Sequence, residues 1–222
     1  MSQYLNKSTL IILFGITFNI LLCFNPCSPA SSQEPDSSLN ALLQNIQTKS
    51  LSIQAFSCKF KQTRHLSIFS KPVIFNGILT LSKPAKLRWE VLDPIPSVIL
   101  LNETKGIRCS AHSKQFSFDL TSGPKMHLVY KQFFQWLSGS IDSLHKFYEV
   151  KQIADFKIAL IPLDENFSDI IKLIEIQFEP VSLQPSQVII RENQDDFTEI
   201  AFTDYNLSPN LTESVFTKCQ NM

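Results

Sequence analysis

Short segments in which apolar and polar residues alternate recur along most of this chain, and they constrain its fold more than any other feature. In the segment 56–61, for example, Phe56, Cys58 and Phe60 alternate with polar or charged residues. A period of two places every second side chain on the same face of a β-strand, so the pattern predicts strands with one buried face. The predicted strands are 56–61, 73–81, 87–91, 97–101, 106–112, 116–120, 147–153, 156–162, 170–179, 187–192 and 197–203.

The links between most of these predicted strands are short enough to be turns. Antiparallel strands can be joined by turns, whereas parallel strands need long crossover connections, so one antiparallel meander is favoured over βαβ units. We therefore predict a mainly β domain with a few helices, built on a large curved antiparallel sheet whose apolar face points inward.

Two stretches follow a helical period instead. Leu39, Leu42, Leu43 and Ile46 predict an amphipathic helix of about three turns, with Ser37 or Ser38 as its cap. The second stretch is an insertion at about 125–147. One face of its first helix ends at Gly139 and carries Met126, Val129, Tyr130, Phe133, Trp136 and Leu137, and a short helix with Ile141, Leu144 and Phe147 follows Ser140.

A large curved sheet with few helices must fill its concave side with those helices or with something else. The helix at 126–137 carries several aromatic residues, among them Tyr130, Phe133 and Trp136. These side chains have two interpretations at this point. They plug the core permanently, as amphipathic helices usually do, or they form a removable lid over a pocket for acyl chains.

The N-terminus has the pattern of a secretory signal peptide. Lys7 precedes a short apolar run at 11–24, and the small residues Ser28 and Ala30 follow it. We predict cleavage after Ala30, which makes 1–30 a signal peptide and 31–222 a single exported domain that is soluble in the periplasm. The alternative is an uncleaved membrane anchor, although the run is short for one and Asn19 interrupts it.

Charge and glycine content exclude several classes of function. Lys plus Arg and Asp plus Glu both number 20, so no surplus of positive charge indicates binding to nucleic acid. The five glycines are too far apart to form a nucleotide-binding loop. The four histidines share no metal-ligand spacing, and no serine lies in a nucleophile motif. We therefore predict neither an enzyme nor a cofactor.

Removal of residues 1–30 leaves three cysteines, Cys58, Cys109 and Cys219. With an odd number, at most one disulfide forms and one thiol remains. We favour a buried, inert role for Cys58. The pairing itself stays open from the sequence.

A resemblance to a known family is carried by the residues between 60 and 94. The segments F-K-Q-T-R (60–64), G-I-L-T-L-S-K-P (77–84) and L-R-W-E (87–90), followed by Pro94, resemble the periplasmic lipoprotein carrier family LolA. The closing segment S-V-F (214–216) is also similar to the end of that family's sequences. The match is specific over about 40 residues and looser, but collinear, over the rest.

The resemblance implies an unclosed β-barrel of about eleven strands with a helical lid, whose apolar cavity receives the acyl chains of lipoproteins. It also implies two membrane partners, an inner-membrane ABC transporter that supplies the lipoprotein and an outer-membrane receptor that accepts it. The chain is expected to act as a monomer. Lys83 stands where the family often has an arginine that latches the lid, and Arg88 is the alternative latch.

The predicted binding residues follow from the alternation within each strand. For the acyl cavity they are Phe60, Leu79, Leu81, Trp89, Val91, Phe116 and Phe118. For the lid they are Phe133, Trp136 and Leu137. Two other functions remain open from the sequence, namely a carrier of a phospholipid or glycolipid and a sensor of lipid or lipoprotein in the cell envelope.

Overall fold

The computed structural model describes residues 35–219, with gaps at 103, 112, 121–133 and 135–143. Its strands are β1 (Ala55–His65), β2 (Val73–Ser82), β3 (Lys86–Asp93), β4 (Ser97–Asn102), β5 (Lys105–Ser110), β6 (Ser113–Asp119), β7 (Tyr148–Ala154), β8 (Lys157–Pro162), β9 (Leu173–Phe178), β10 (Pro185–Arg191) and β11 (Phe197–Asn206). The helices are α1 (Pro35–Leu51) and the short α2 (Glu165–Ser168), with 3₁₀ turns at Leu144–Lys146 and Glu213–Phe216.

All eleven strands belong to one antiparallel sheet in the order β6-β5-β4-β3-β2-β1-β11-β10-β9-β8-β7. Each half of the chain forms its own meander, because consecutive strands pair with each other. The pairing of β1 with β11 joins the two meanders, so the first strand lies in the middle of the sheet. The order ends at β6 and β7, which confirms the prediction of about eleven strands in a sheet that is not closed.

The register of the strands places apolar side chains of every strand from β1 to β4 on one face, here called the inner face. Phe56, Cys58 and Phe60 of β1 lie directly opposite Leu81, Leu79 and Gly77 of β2. Directly opposed residues of an antiparallel pair share a face. The pattern continues from β11 to β8, where Ile200, Val188, Ile176 and Ile158 are opposed in turn.

Helix α1 packs its apolar side chains into the same buried cluster as the inner face. Leu39, Leu42, Leu43 and Ile46 are all less than 8% exposed, as the helical period predicted. The predicted start was wrong, because the helix begins at Pro35 and Ser37 and Ser38 lie inside it. Proline is favoured at a first helical position, where the N–H that it lacks would have no intrahelical partner.

Two other details of the prediction differ from the structure. The strand predicted at 170–179 begins at Leu173, because α2 and the residues after it occupy the link from β8. Asp164 caps α2 by accepting a hydrogen bond from the Phe167 amide at 3.0 Å. A helix of four residues has too few positions to show a period, which is why the alternation did not reveal it.

The signal peptide predicted at 1–30 and most of the insertion at 125–147 lie outside the described residues. Within the insertion, Phe134 is half-buried against the apolar cluster, and Leu144 is buried in it. In the part of the chain that is described, no helix combines the length and the apolar character needed to cross a membrane.

Candidate functional site

The seven residues predicted to line a cavity all lie on the inner face. Phe60 is opposite Gly77, which is opposite Val91, and Leu79 is opposite Trp89. The row through Trp89 continues across the sheet to Phe116 by way of Ile99 and Arg108. The row through Leu81 likewise reaches Phe118 by way of Leu87, Leu101 and Gly106.

Their exposure changes across the sheet. Phe60, Leu79 and Leu81 are buried, whereas Trp89, Val91 and Phe118 are half-buried and pack against the buried cluster. Phe116, on the edge strand β6, is 62% exposed. The inner face is therefore filled near β1 and β2 and more accessible towards β6.

Two glycines on the inner face make room for aromatic rings. A Cβ atom built at Gly77 would lie 2.5 Å from Cζ of Phe60 and would also collide with the Glu90 carbonyl oxygen. At Gly106 the obstacle would be the ring of Phe118. Both phenylalanines thus lie flat over a neighbouring strand, and Phe60 stacks on Trp89 with ring centroids 4.1 Å apart.

A cleft of about 350 Å³ opens between the two halves of the sheet. It is lined by Gln62, Arg64, Leu87, Trp89, Ile99, Leu101, Ile170, Ile171, Ile190, Glu192, Thr198 and Ile200. Residues of β3 and β4 thus share the cleft with residues of β10 and β11, although β2 and β1 separate those strands in the sheet. The sheet must therefore curve around the cleft, as predicted.

Of the seven predicted cavity residues, Trp89 lines this cleft, and the other six lie elsewhere on the same face. The alternation in 97–101 and 197–203 contained the signal for Ile99 and Ile200. Arg64 and Glu192 carried no such signal, because they are 128 residues apart in the chain.

The cleft is polar at its rim and apolar at its floor. Gln62, Arg64 and Glu192 are partly exposed, whereas Leu87 and Ile200 are no more than 3% exposed. Arg64 Nη2 donates to Glu192 Oε1 at 3.3 Å, so the rim holds an ion pair. This arrangement suits a molecule with a long apolar part and a polar end.

Lys83, the first latch candidate, lies in the turn between β2 and β3 and contacts the end of α1. Its Nζ donates to the Ser50 carbonyl oxygen at 2.6 Å, and its amide donates to the Gln54 carbonyl oxygen at 2.9 Å. Burial lowers the pKa of the Lys83 ammonium group. Lys83 therefore fastens the C-terminal end of α1 and the residues that follow it to the turn between β2 and β3.

Arg88, the second latch candidate, points to the opposite, outer face of the sheet. Its Nη1 donates to the carbonyl oxygens of Val215 at 3.2 Å and Lys218 at 3.0 Å, and its Nε donates to Glu90 Oε2 at 2.8 Å. The lid that it was expected to hold lies outside the described residues. The contacts that are described give Arg88 a different task, which is to hold the C-terminal segment.

That segment, residues 207–219, is here called the C-terminal strap. A disulfide joins Cys109 of β5 to Cys219, and Lys86 Nζ pairs with Glu213 at 2.6 Å. Phe216 of the strap is buried, as are Val98 and Leu100 on the outer side of β4. The strap thus covers the outer side of the strands whose inner side forms one wall of the cleft.

Among the three cysteines that the structure describes, the disulfide leaves Cys58 as the free thiol, and it is buried as expected. Burial raises the pKa of the Cys58 thiol to about 12, against a smaller opposing effect of the hydrogen bond with Tyr205. Such a thiol stays protonated at neutral pH and is unreactive.

The lid residues Phe133, Trp136 and Leu137 lie outside the described residues, so their role stays a prediction. Among the residues that are described, no three His, Cys, Asp or Glu side chains are grouped so as to hold a metal ion.

Comparison with known proteins gives one family. The family model described as outer membrane lipoprotein carrier protein LolA matches residues 51–219. No curated protein sequence matches the chain significantly.

Solved structures with similar folds have very different sequences. A LolA superfamily protein from Nitrosomonas europaea is 10% identical with a TM-score of 0.43, over 79% of this chain and 97% of its own. An uncharacterised conserved protein from Thermus thermophilus is 7% identical with a TM-score of 0.49, over 82% of this chain and 93% of its own. MucB in the Pseudomonas aeruginosa MucA/MucB complex is 13% identical with a TM-score of 0.44, over 81% of this chain and 59% of its own.

Proposed function

The chain belongs to the outer membrane lipoprotein carrier protein LolA family, and on that basis we propose that it carries lipoproteins by binding their acyl chains on its inner face. The family description is that of a carrier rather than an enzyme. The single observation that carries the proposal is the apolar cleft, which a curved sheet encloses and a polar rim borders.

The physical need for such a carrier is large. Each CH₂ group of an acyl chain costs about 0.8 kcal/mol to expose to water, so a protein with three acyl chains does not leave a membrane unaided at a useful rate. A cleft of 350 Å³ lies within the range of about 300–1,000 Å³ that is usual for small-ligand pockets. Leu87, Trp89 and Ile99 offer the chain an apolar wall in place of water.

Release requires that the binding free energy stay well below the full transfer value, since noncovalent affinity saturates. We propose that the helix predicted at 126–137 acts as a lid and that displacing it offsets part of the gain. Phe133, Trp136 and Leu137 are the lid residues in this proposal. Phe133→Glu or Trp136→Glu is then expected to abolish lipid loading while the fold survives.

The proposed place of action is the periplasm, after cleavage behind Ala30. The proposed partners are an inner-membrane ABC transporter that loads the carrier and an outer-membrane receptor that unloads it. The sequence supports export through the pattern of residues 1–30, and the family supports the cargo.

The experiment is extraction of a triacylated peptide from phospholipid vesicles. The domain 31–222 is mixed with vesicles that hold the fluorescent peptide, the vesicles are sedimented, and the peptide in the supernatant is measured. We expect the wild type to extract the peptide in a protein-dependent way. Ile99→Glu, in the wall of the cleft, should reduce extraction at least tenfold, because a buried carboxylate opposes acyl binding.

Val181→Glu is the matched control, because Val181 is 77% exposed in the turn between β9 and β10 and does not line the cleft. It should extract the peptide as the wild type does. Circular dichroism shows whether each variant is folded. A wild type that extracts no peptide, or a folded Ile99→Glu variant that extracts as much as Val181→Glu, would refute the proposal.

A further inference from the structure

The rim of the cleft holds two side chains of opposite charge at the same end of the sheet. Arg64 lies near the end of β1, opposite Thr198 of β11, and Thr198 lies opposite Ile190 of β10. Glu192 follows β10, so its carboxylate reaches back across β11 to the guanidinium group. The side chains of Arg64 and Glu192 are 43% and 33% exposed, which places them where the cleft meets solvent.

The ion pair does not use all the donors of Arg64. Its Nη2 binds Glu192, whereas its Nε is buried and has no hydrogen-bond partner among the described residues. A guanidinium group has five N–H donors in a planar fork, and a buried donor without an acceptor is unfavourable. This buried Nε is out of reach of a molecule in the cleft, but the Arg64 side chain as a whole is 43% exposed and lines the cleft, so the terminal N–H groups of its guanidinium are the donors available to an acceptor oxygen there.

The charges around Arg64 indicate which kind of oxygen fits. The charges of the Arg64 guanidinium group and the Glu192 carboxylate sum to zero. A second carboxylate, that of Asp196, is close by, and hydrogen bonds from the Ser67 amide and Asn193, with the positive charge of Arg64, lower its pKa. An anionic head group would therefore meet repulsion from two carboxylates, whereas a neutral carbonyl oxygen would accept the hydrogen bond without that cost.

We propose that Arg64 and Glu192 form a subsite for the neutral, carbonyl-bearing end of a lipid, where ester or amide groups join the acyl chains to the rest of the molecule. This inference rests on the proposed function, since the apolar floor must first hold the chains. It adds a selectivity for neutral over anionic head groups. Arg64 donates to the carbonyl oxygen, and Glu192 orients Arg64 and repels phosphate.

The test uses the vesicle extraction assay with three probes, namely a triacylated peptide, dipalmitoylglycerol and dipalmitoyl phosphatidate. We expect the wild type to extract both neutral probes at lower protein concentration than phosphatidate. Arg64→Met should raise the concentration that extracts half of either neutral probe about tenfold, which is the change that corresponds to one charge-assisted hydrogen bond. Glu192→Gln should reduce the preference for the neutral probes over phosphatidate about tenfold.

Lys59→Met is the matched control. Lys59 lies on the outer face of the same strand and pairs with Asp204 at 2.8 Å, with both side chains more than 60% exposed. Its loss should change extraction less than twofold. Should Arg64→Met fail to fold, Arg64→Lys replaces it, because lysine keeps the charge beside Glu192 but has no planar fork, and the same direction of change is expected.

The two neutral probes separate the sources of the carbonyl group. Equal losses with both place the contact on the glyceryl esters, and a loss with the peptide alone places it on the amide. Arg64 variants that extract both neutral probes as Lys59→Met does, or a wild type that prefers phosphatidate, would overturn the subsite but leave the carrier intact. A wild type that extracts none of the probes would overturn the carrier and the subsite together.

Discussion

At the residue scale, glycines decide how closely the aromatic rings of the inner face can approach the sheet. Gly77 and Gly106 lie under Phe60 and Phe118, but the two sites differ in what a methyl group would meet. At Gly77 the obstacles include the backbone oxygen of Glu90, which the pairing of β2 with β3 holds in place. At Gly106 the obstacle is the Phe118 ring, which can move.

The two glycines therefore make a matched pair of substitutions. Gly77→Ala should lower the free energy of unfolding by about 3 kcal/mol, and Gly106→Ala by about 1 kcal/mol, within the usual range for overpacking. Replacing glycine with alanine restricts the unfolded chain equally in both variants. The difference between their free energies of unfolding therefore measures how much worse the clash at residue 77 is than the clash at residue 106 in the folded state. Urea unfolding measures both values, and equal losses would show that the carbonyl of Glu90 can shift as easily as a side chain.

The raised pKa of the Cys58 thiol predicts how the stability of the protein changes at alkaline pH. Burial raises the pKa of its thiol from 9.0 to about 12, so the folded state holds the proton more tightly than the unfolded state. The resulting stability is complete below pH 9 and is lost as the pH rises from 9 towards 12. Between pH 8 and pH 10, ionisation of this thiol in the unfolded state should lower the free energy of unfolding by about 1 kcal/mol.

Cys58→Ala tests that account by urea unfolding at both pH values. The variant has a lower free energy of unfolding at both pH values because it loses packing. From pH 8 to pH 10, however, its free energy of unfolding should fall by about 1 kcal/mol less than that of the wild type. If the two proteins lost the same amount, the thiol would not be the group that titrates.

At the scale of elements, the C-terminal strap supports the strands that form one wall of the cleft. Leu87 and Trp89 line that wall from the inner face of β3, and Arg88 between them holds the strap from the outer face. The disulfide from Cys109 to Cys219 closes a loop of 110 residues, which restricts the unfolded chain. One strand thus links the cleft to the strap.

Removal of the disulfide should lower the free energy of unfolding by about 3 kcal/mol. Cys109→Ser, Cys219→Ser and the double variant should all lose the same amount, because each removes the same bond. Chemical denaturation of the three variants and of the reduced wild type checks this. Losses that add up in the double variant would show that the two cysteines act independently.

Elements with a clear period could be predicted from the sequence, and those set by distant contacts could not. Alternation such as that of Phe56, Cys58 and Phe60 revealed the strands because the side chains on one face of the sheet are buried near β1 and β2 and most of the others are half-buried. The direction of Arg88 was also present in the alternation, since its neighbours Leu87 and Trp89 point inward. Its partners in the strap were not, because nothing local relates β3 to residues 127 and 130 positions later.

At the scale of the whole molecule, the fold depends on the pairing of the first strand with the last. β1 pairs with both β2 and β11, which joins the two meanders into one curved sheet. The sequence predicted a sheet of this size, but this junction follows from non-local packing. The cleft is a consequence of the junction, because β10 and β11 reach β3 and β4 only through β1 and β2.

The most direct test of lipoprotein carriage is native mass spectrometry of the mature protein, isolated without detergent from the periplasm of its own cells. The proposed function predicts a complex whose added mass is that of a triacylated polypeptide, and Ile99→Glu should be recovered without it. A bound phospholipid or glycolipid would contradict the cargo. Repeated recovery of the empty wild-type protein would contradict carriage itself and would favour a sensor of the cell envelope.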